Sequence, residues 1–145
     1  MAKSRKPFPV VGMIAAAIGA VLGSYAVNRG LSNRTGSVEK ALVQASNELN
    51  KTVPTMVDPE TRLDGTTAGP GKTFVYQYTL VNIVKDATFD AKALETAMRP
   101  IILEQYKTNP GLKSFRDTGV SMRYRYSDKN GVFITEIVIG PEDLK

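Results

Sequence analysis

The chain of 145 residues contains no cysteine and no histidine. The first absence removes disulfides, thiol nucleophiles and thiolate metal sites together. The second removes the commonest general base and the commonest metal ligand near neutral pH. Carboxylates, lysine, serine and tyrosine remain, but no spacing singles out a set of them. The sequence therefore points to no catalytic residue, no cofactor-binding residue, no cofactor and no metal ligand, and the expectation is a protein that is not an enzyme.

Charge is missing from residues 8–27, FPVVGMIAAAIGAVLGSYAV, a run of 20. That length is what a helix needs to cross about 30 Å of hydrocarbon at about 1.5 Å per residue. The leader, residues 1–7, carries Lys3, Arg5 and Lys6, which by the positive-inside rule keeps this end in the cytoplasm and sends everything after Val27 across the membrane. A retained single-span transmembrane helix is the first reading. The alternative is a secretory signal cleaved near Ala26, where Ser24 and Ala26 flank Tyr25 as a small-x-small site. Ala15, Gly19 and Gly23 recur every four residues and offer a close-packing face to a second membrane helix, as in a homodimer.

The formal charge of +5 is mostly this leader: 16 cations stand against 14 acids in the remainder, and none of the acids precedes Glu39. So small a surplus is an ordinary solvated surface and gives no reason to expect nucleic acid. Residues 28–36, NRGLSNRTG, are polar and broken by Gly30 and Gly36, and read as a linker to a single domain over residues 37–145.

Within that domain Ser37 suits a helix cap, and Val38, Leu42, Ala45 and Leu49 form one stripe at helical spacing, fading before Pro54. Residues 54–60 read as a loop into a strand over 61–67. Asp58, Glu60 and Asp64 gather carboxylates here, but without the alternating oxygen ligands of a calcium loop they read as solvated surface. After the turn at Ala68-Gly69-Pro70-Gly71, residues 72–81 are the clearest strand, with Phe74, Tyr76, Tyr78 and Leu80 alternating with Thr73, Val75, Gln77 and Thr79. Asp90 suits the cap of a helix to about Lys107, with Phe89 stapled to Leu94, a stripe of Leu94, Ala97, Met98 and Ile101, and a kink at Pro100. Asn109-Pro110-Gly111 ends it, and one short turn over 112–118 closes at Gly119.

Asn130-Gly131 is a strong hairpin signal, and a two-residue turn there pairs Lys129 with Val132. The same register sets Tyr126 opposite Thr135, Tyr124 opposite Ile137 and Met122 opposite Ile139 on the core side. On the other side Arg125 faces Glu136 and Arg123 faces Val138, which makes Arg123 and Arg125 a candidate interaction surface.

The string PTMVDPETRLDGTTAGPGKTFVYQYTLV at residues 54–81 resembles a group of small exported envelope proteins of bacteria of uncharacterised function. Thr108-Asn109-Pro110, Gly119-Val120 and the Tyr124, Tyr126, Asp128, Asn130-Gly131 series extend the likeness over most of the domain. Members of that group carry one cysteine before the Thr-Asn-Pro and another at the C-terminus; this chain has Lys107 and Leu144 there, so the pairing they imply is lost at both ends. The resemblance implies an α+β fold and an envelope location, and it carries no catalytic residue.

The expected architecture is α+β: an N-terminal transmembrane helix, then one domain in the order α-β-β-α-β-β, an antiparallel sheet with helices packed on one face. The expected role is a membrane-anchored binding or accessory module in the bacterial inner membrane with its C-terminal domain in the periplasm, where an envelope protein is its partner. A scaffold or assembly subunit of an envelope complex, and a secreted periplasmic protein after cleavage, are the alternatives.

Overall fold

The computed structural model describes residues 35–145. The proposed membrane helix over 8–27 and its Ala15, Gly19 and Gly23 face lie outside the described residues. Among the described residues no helix is long and apolar enough to cross a membrane.

Helix α1 (Thr35–Leu49) buries Val38, Leu42, Ala45 and Leu49, the stripe that the spacing requires. It starts two residues before Ser37, which therefore sits in its first turn instead of preceding it. Three strands follow, β1 (Thr55–Asp58), β2 (Thr61–Gly69) and β3 (Thr73–Leu80), each antiparallel to the one before. Between β2 and β3 the chain reverses through Gly71 and Lys72, whose φ angles of +70° and +58° are left-handed; glycine takes this conformation without penalty. Next come α2 (Ala91–Thr108), a 3₁₀ turn at Pro110–Leu112, and α3 (Lys113–Thr118), closed by Gly119 at φ +76°. Strands β4 (Ser121–Ser127) and β5 (Phe133–Ile139) form the final antiparallel pair, and a 3₁₀ turn at Pro141–Leu144 ends the chain.

The sheet corrects the expected one. It has five strands in the order β1-β2-β3-β4-β5 and is mixed, because β3 and β4 run parallel. The extra strand is β1, in the stretch read as a loop: Thr55 pairs with Leu63 and Met56 with Arg62. The parallel pair follows from the connection. Joining neighbouring parallel strands takes a crossover of a dozen or more residues, and α2 with α3 supplies one. Thr73 to Thr79 consequently match Ser121 to Ser127 residue for residue.

Both long helices belong to one core. Helix α1 lies over β2 and β3, and α2 over β5. The buried line of α2 is Leu94, Met98, Ile102 and Tyr106, a step of four that replaces the expected Ala97 and Ile101, both only half-buried. Asp90 caps this helix by accepting the Ala93 N–H at 2.9 Å. Pro100 lies on its exposed face, where the helix runs on through it. The Tyr106 hydroxyl donates to the Val120 carbonyl at 2.7 Å and ties the end of α2 to the start of β4.

The pairing of β4 with β5 is the expected one from Met122–Ile139 to Tyr126–Thr135. The turn differs. A bulge next to Ser127 sets that residue opposite Phe133, and residues 128–131 wrap around the Asp128 side chain. Its Oδ1 accepts the N–H groups of Asn130 at 2.8 Å and Val132 at 2.9 Å. A side chain that satisfies local donors in this way outcompetes the bare two-residue turn.

Candidate functional site

The two faces of the sheet differ in chemistry. On the helix-covered face, the tyrosines of β3 and β4 form two matched columns. Tyr76 stacks on Tyr124 with centroids 5.2 Å apart, Tyr78 on Tyr126 at 5.3 Å, and Phe74 meets Phe115 edge-on at 6.0 Å. Burial pushes the phenol pKa of Tyr76, Tyr78, Tyr124 and Tyr126 well up, and takes Tyr106 to about 12. These phenols stay neutral at any physiological pH, so the β3 aromatic ladder is core and presents no ring to solvent.

On the opposite face Arg123 and Arg125 stand two residues apart on β4, and Glu136 on β5 accepts from both at 3.1 Å each. Two cations thus share one carboxylate. Arg123 and Arg125 remain 46% and 44% exposed at the side chain. The Arg125 guanidinium also lies 4.8 Å from the centroid of Phe133, a ring itself 44% exposed. Cation–π contact and ion pairing hold the guanidinium in place over the ring. Exposed Gln77 on β3 sits across from Arg125 and continues the patch. Farther along the same face Arg62 pairs with Asp64 at 2.5 Å, and Thr79 donates to the same carboxylate.

The sequence register brings Arg125 to Glu136, as the structure has it, but misses Phe133. With a two-residue turn Ile134 would stand opposite Ser127. The bulge instead buries Ile134 to 4% exposure and turns Phe133 out to the arginines. No signal short of the Asp128 side-chain bonds marks that shift.

The carboxylates Asp58, Glu60 and Asp64 do not converge. Asp58 is buried and accepts the Glu60 N–H at 2.8 Å, whereas Asp64 is engaged by Arg62 and Thr79 on the other face. Among the described residues no three histidine, cysteine or acidic side chains gather to hold a metal. The Asp128 carboxylate is engaged by three backbone N–H groups, those of Lys85, Asn130 and Val132.

Three solved structures share the fold. A candidate secreted protein from Pseudomonas aeruginosa superposes with a TM-score of 0.61 at 13% identity, covering 80% of this chain and 100% of its own. The type II secretion system pilotin AspS from Vibrio cholerae gives 0.55 at 16% identity, over 75% of this chain and 94% of its own. The type 2 secretion system pilotin EpsS from Vibrio vulnificus gives 0.57 at 10% identity, over 77% and 94%. At these identities the likeness is one of fold. No curated protein matches the chain in sequence. Residues 37–133, two thirds of the sequence and all of the domain as far as Phe133, match the Domain of unknown function (DUF8479), and the chain belongs to that family.

Proposed function

We propose that this protein is a non-catalytic accessory module of the bacterial cell envelope that works by docking a protein partner on the open face of its sheet. The observation that carries the reading is the surface built by Arg123, Arg125 and Phe133, in which two half-exposed guanidiniums divide one carboxylate. Such a patch keeps a surplus of positive charge beside an exposed ring, and arginine with an aromatic neighbour is the composition enriched at interface centres. An acidic segment on the partner would complete it.

Support for the location comes from two sides. The basic leader and the uncharged residues 8–27 are an address for export, and the fold is shared with two secretion-system pilotins and a candidate secreted protein. The lack of histidine and cysteine in the whole chain favours placement and binding over chemistry.

The test is site-specific photo-crosslinking in cells from Gln77, on the same face, with Lys92 on the outer side of α2 as control. The reading expects an envelope protein to be captured from Gln77 and not from Lys92. The joint substitution Arg123→Glu and Arg125→Glu should abolish that capture; capture that survives it removes the arginine face from the proposal.

A further inference from the structure

Five side-chain oxygens on the helix-covered side have no hydrogen-bond partner among the described residues: Asp58 Oδ2, Thr61 Oγ1, and the hydroxyls of Tyr76, Tyr78 and Tyr126. None of these residues is more than 6% exposed. Native proteins rarely leave buried polar atoms unmade, and a group of five calls for something that bonds them together.

They are neighbours in the fold. Tyr78 and Tyr126 are register partners in the parallel β3–β4 pair, Thr61 pairs with Leu80 two residues along from Tyr78, and Asp58 pairs with Thr61. Burial is the main cause of the raised phenol pKa at Tyr78 and Tyr126, and the Asp58 charge adds to it at both, so the carboxylate acts on both phenols. Their rings stack with centroids 5.3 Å apart, and the two hydroxyls do not bond each other.

Asp58 decides what bonds these oxygens. Its Oδ1 takes the Glu60 N–H, and the ion pairs among the described residues all use other acids. A water can bridge hydroxyls, but it leaves a buried negative charge without a counter-charge. We propose that Asp58, Thr61, Tyr78 and Tyr126, with Tyr76 beside them, form a buried site for one monovalent cation, potassium or ammonium. One carboxylate among neutral hydroxyls supplies one negative charge, whereas calcium sites draw on several carboxylates. Strand β1, which presents Asp58, has four residues, lies at the sheet edge and is interrupted by a bulge; local opening there lets an ion exchange.

The experiment is thermal unfolding of the full chain in a mild nonionic detergent, at constant ionic strength, with N-methyl-D-glucamine chloride replaced stepwise by potassium chloride or by ammonium chloride. A bound ion raises Tm with the logarithm of its concentration above Kd, and a rise of several degrees is expected. A rise with potassium alone or ammonium alone names the ion, and with ¹⁵N-labelled ammonium a bound ion gives its own slowly exchanging proton signal. Asp58→Asn and, independently, Tyr126→Phe should each abolish the dependence, the second keeping the packing of the core. Equal Tm in all three salts means the oxygens are bridged by water only and overturns the site, as does a potassium or ammonium dependence that survives both substitutions.

Discussion

The Asp128 carboxylate accepts the backbone N–H of Lys85 at 2.9 Å and so fastens the loop that leaves β3 to the turn between β4 and β5. With the Val132 and Asn130 N–H groups it satisfies three backbone donors, and these bonds, that of Lys85 foremost, hold its carboxyl below the usual range. The folded state then binds a proton less readily than the unfolded chain. Stability from this group is complete above the unfolded value of about 4 and is lost as pH falls through the lower folded one. Asp128→Asn keeps one acceptor and turns an N–H₂ toward Lys85 or Val132. Thermal melts from pH 7 downward should show a variant several degrees less stable at pH 7 whose decline below pH 4 is shallower than that of the wild type. Parallel acid limbs would refute this role for Asp128.

Glu136 receives two arginines, yet neither pair should hold the fold. Both guanidiniums are nearly half exposed, and exposed ion pairs contribute about 0–1 kcal/mol. The double substitution Arg123→Ala and Arg125→Ala is expected to change unfolding free energy by less than about 1 kcal/mol in urea titrations, while removing partner capture. A loss beyond about 2 kcal/mol would make these arginines structural and take away the reason for assigning them to docking.

Ser46 and Thr66 join α1 to β2 by side chains inside the core. The Ser46 hydroxyl donates to the Thr66 carbonyl at 2.9 Å, the Thr66 hydroxyl reaches Ser46 Oγ at 2.9 Å, and Asn50 accepts the Thr66 N–H at 2.8 Å. Asn50 also donates to the Thr66 carbonyl at 2.9 Å and accepts from its hydroxyl at 3.1 Å, so Ser46→Ala removes hydrogen bonds without stranding Thr66 and should cost about 0.5–1.5 kcal/mol by chemical denaturation. Asn50→Ala should cost about 1–3 kcal/mol, because the Thr66 N–H then loses its acceptor. If Asn50→Ala proves neutral, these side-chain bonds do not help hold α1 to β2.

These contacts also mark how far the sequence can be read. The stripe of α1, the Asp90 cap and the alternation of β3 are local, so their period exposes them directly. The β4–β5 register is legible from Tyr126 to Met122 because only one face of that hairpin can be buried. By contrast, β1 offers four residues, TMVD, with two exposed and one half-buried, too little apolar patterning to announce a strand. The parallel β3–β4 pair depends on where α2 lays the chain down, a property of forty residues and not of any window. Tyr78 beside Tyr126, and the polar cluster with Asp58, exist only through that pairing. The arginine face is half legible: Arg125 opposite Glu136 follows from the register, but Phe133 joins them through a bulge set by the Asp128 side chain.

The chain has six tyrosines, and the five at positions 76, 78, 106, 124 and 126 sit in the core, each with a phenol pKa raised chiefly by burial. For a group raised above its unfolded value of about 10, the folded state resists losing the proton. Its contribution to stability is whole below that value and drains away as pH climbs toward the folded one. Ultraviolet titration at 295 nm should therefore find these five phenols silent at pH 10.5, then ionising together as near-ultraviolet circular dichroism collapses at higher pH. Tyr106, at about 12, is the phenol that also serves a backbone carbonyl, that of Val120. Tyr106→Phe strands that carbonyl and should cost about 1–3 kcal/mol at pH 7. Five independent ionisations near pH 10 with the circular dichroism intact would show that the tyrosine columns face water, contrary to the core described for them.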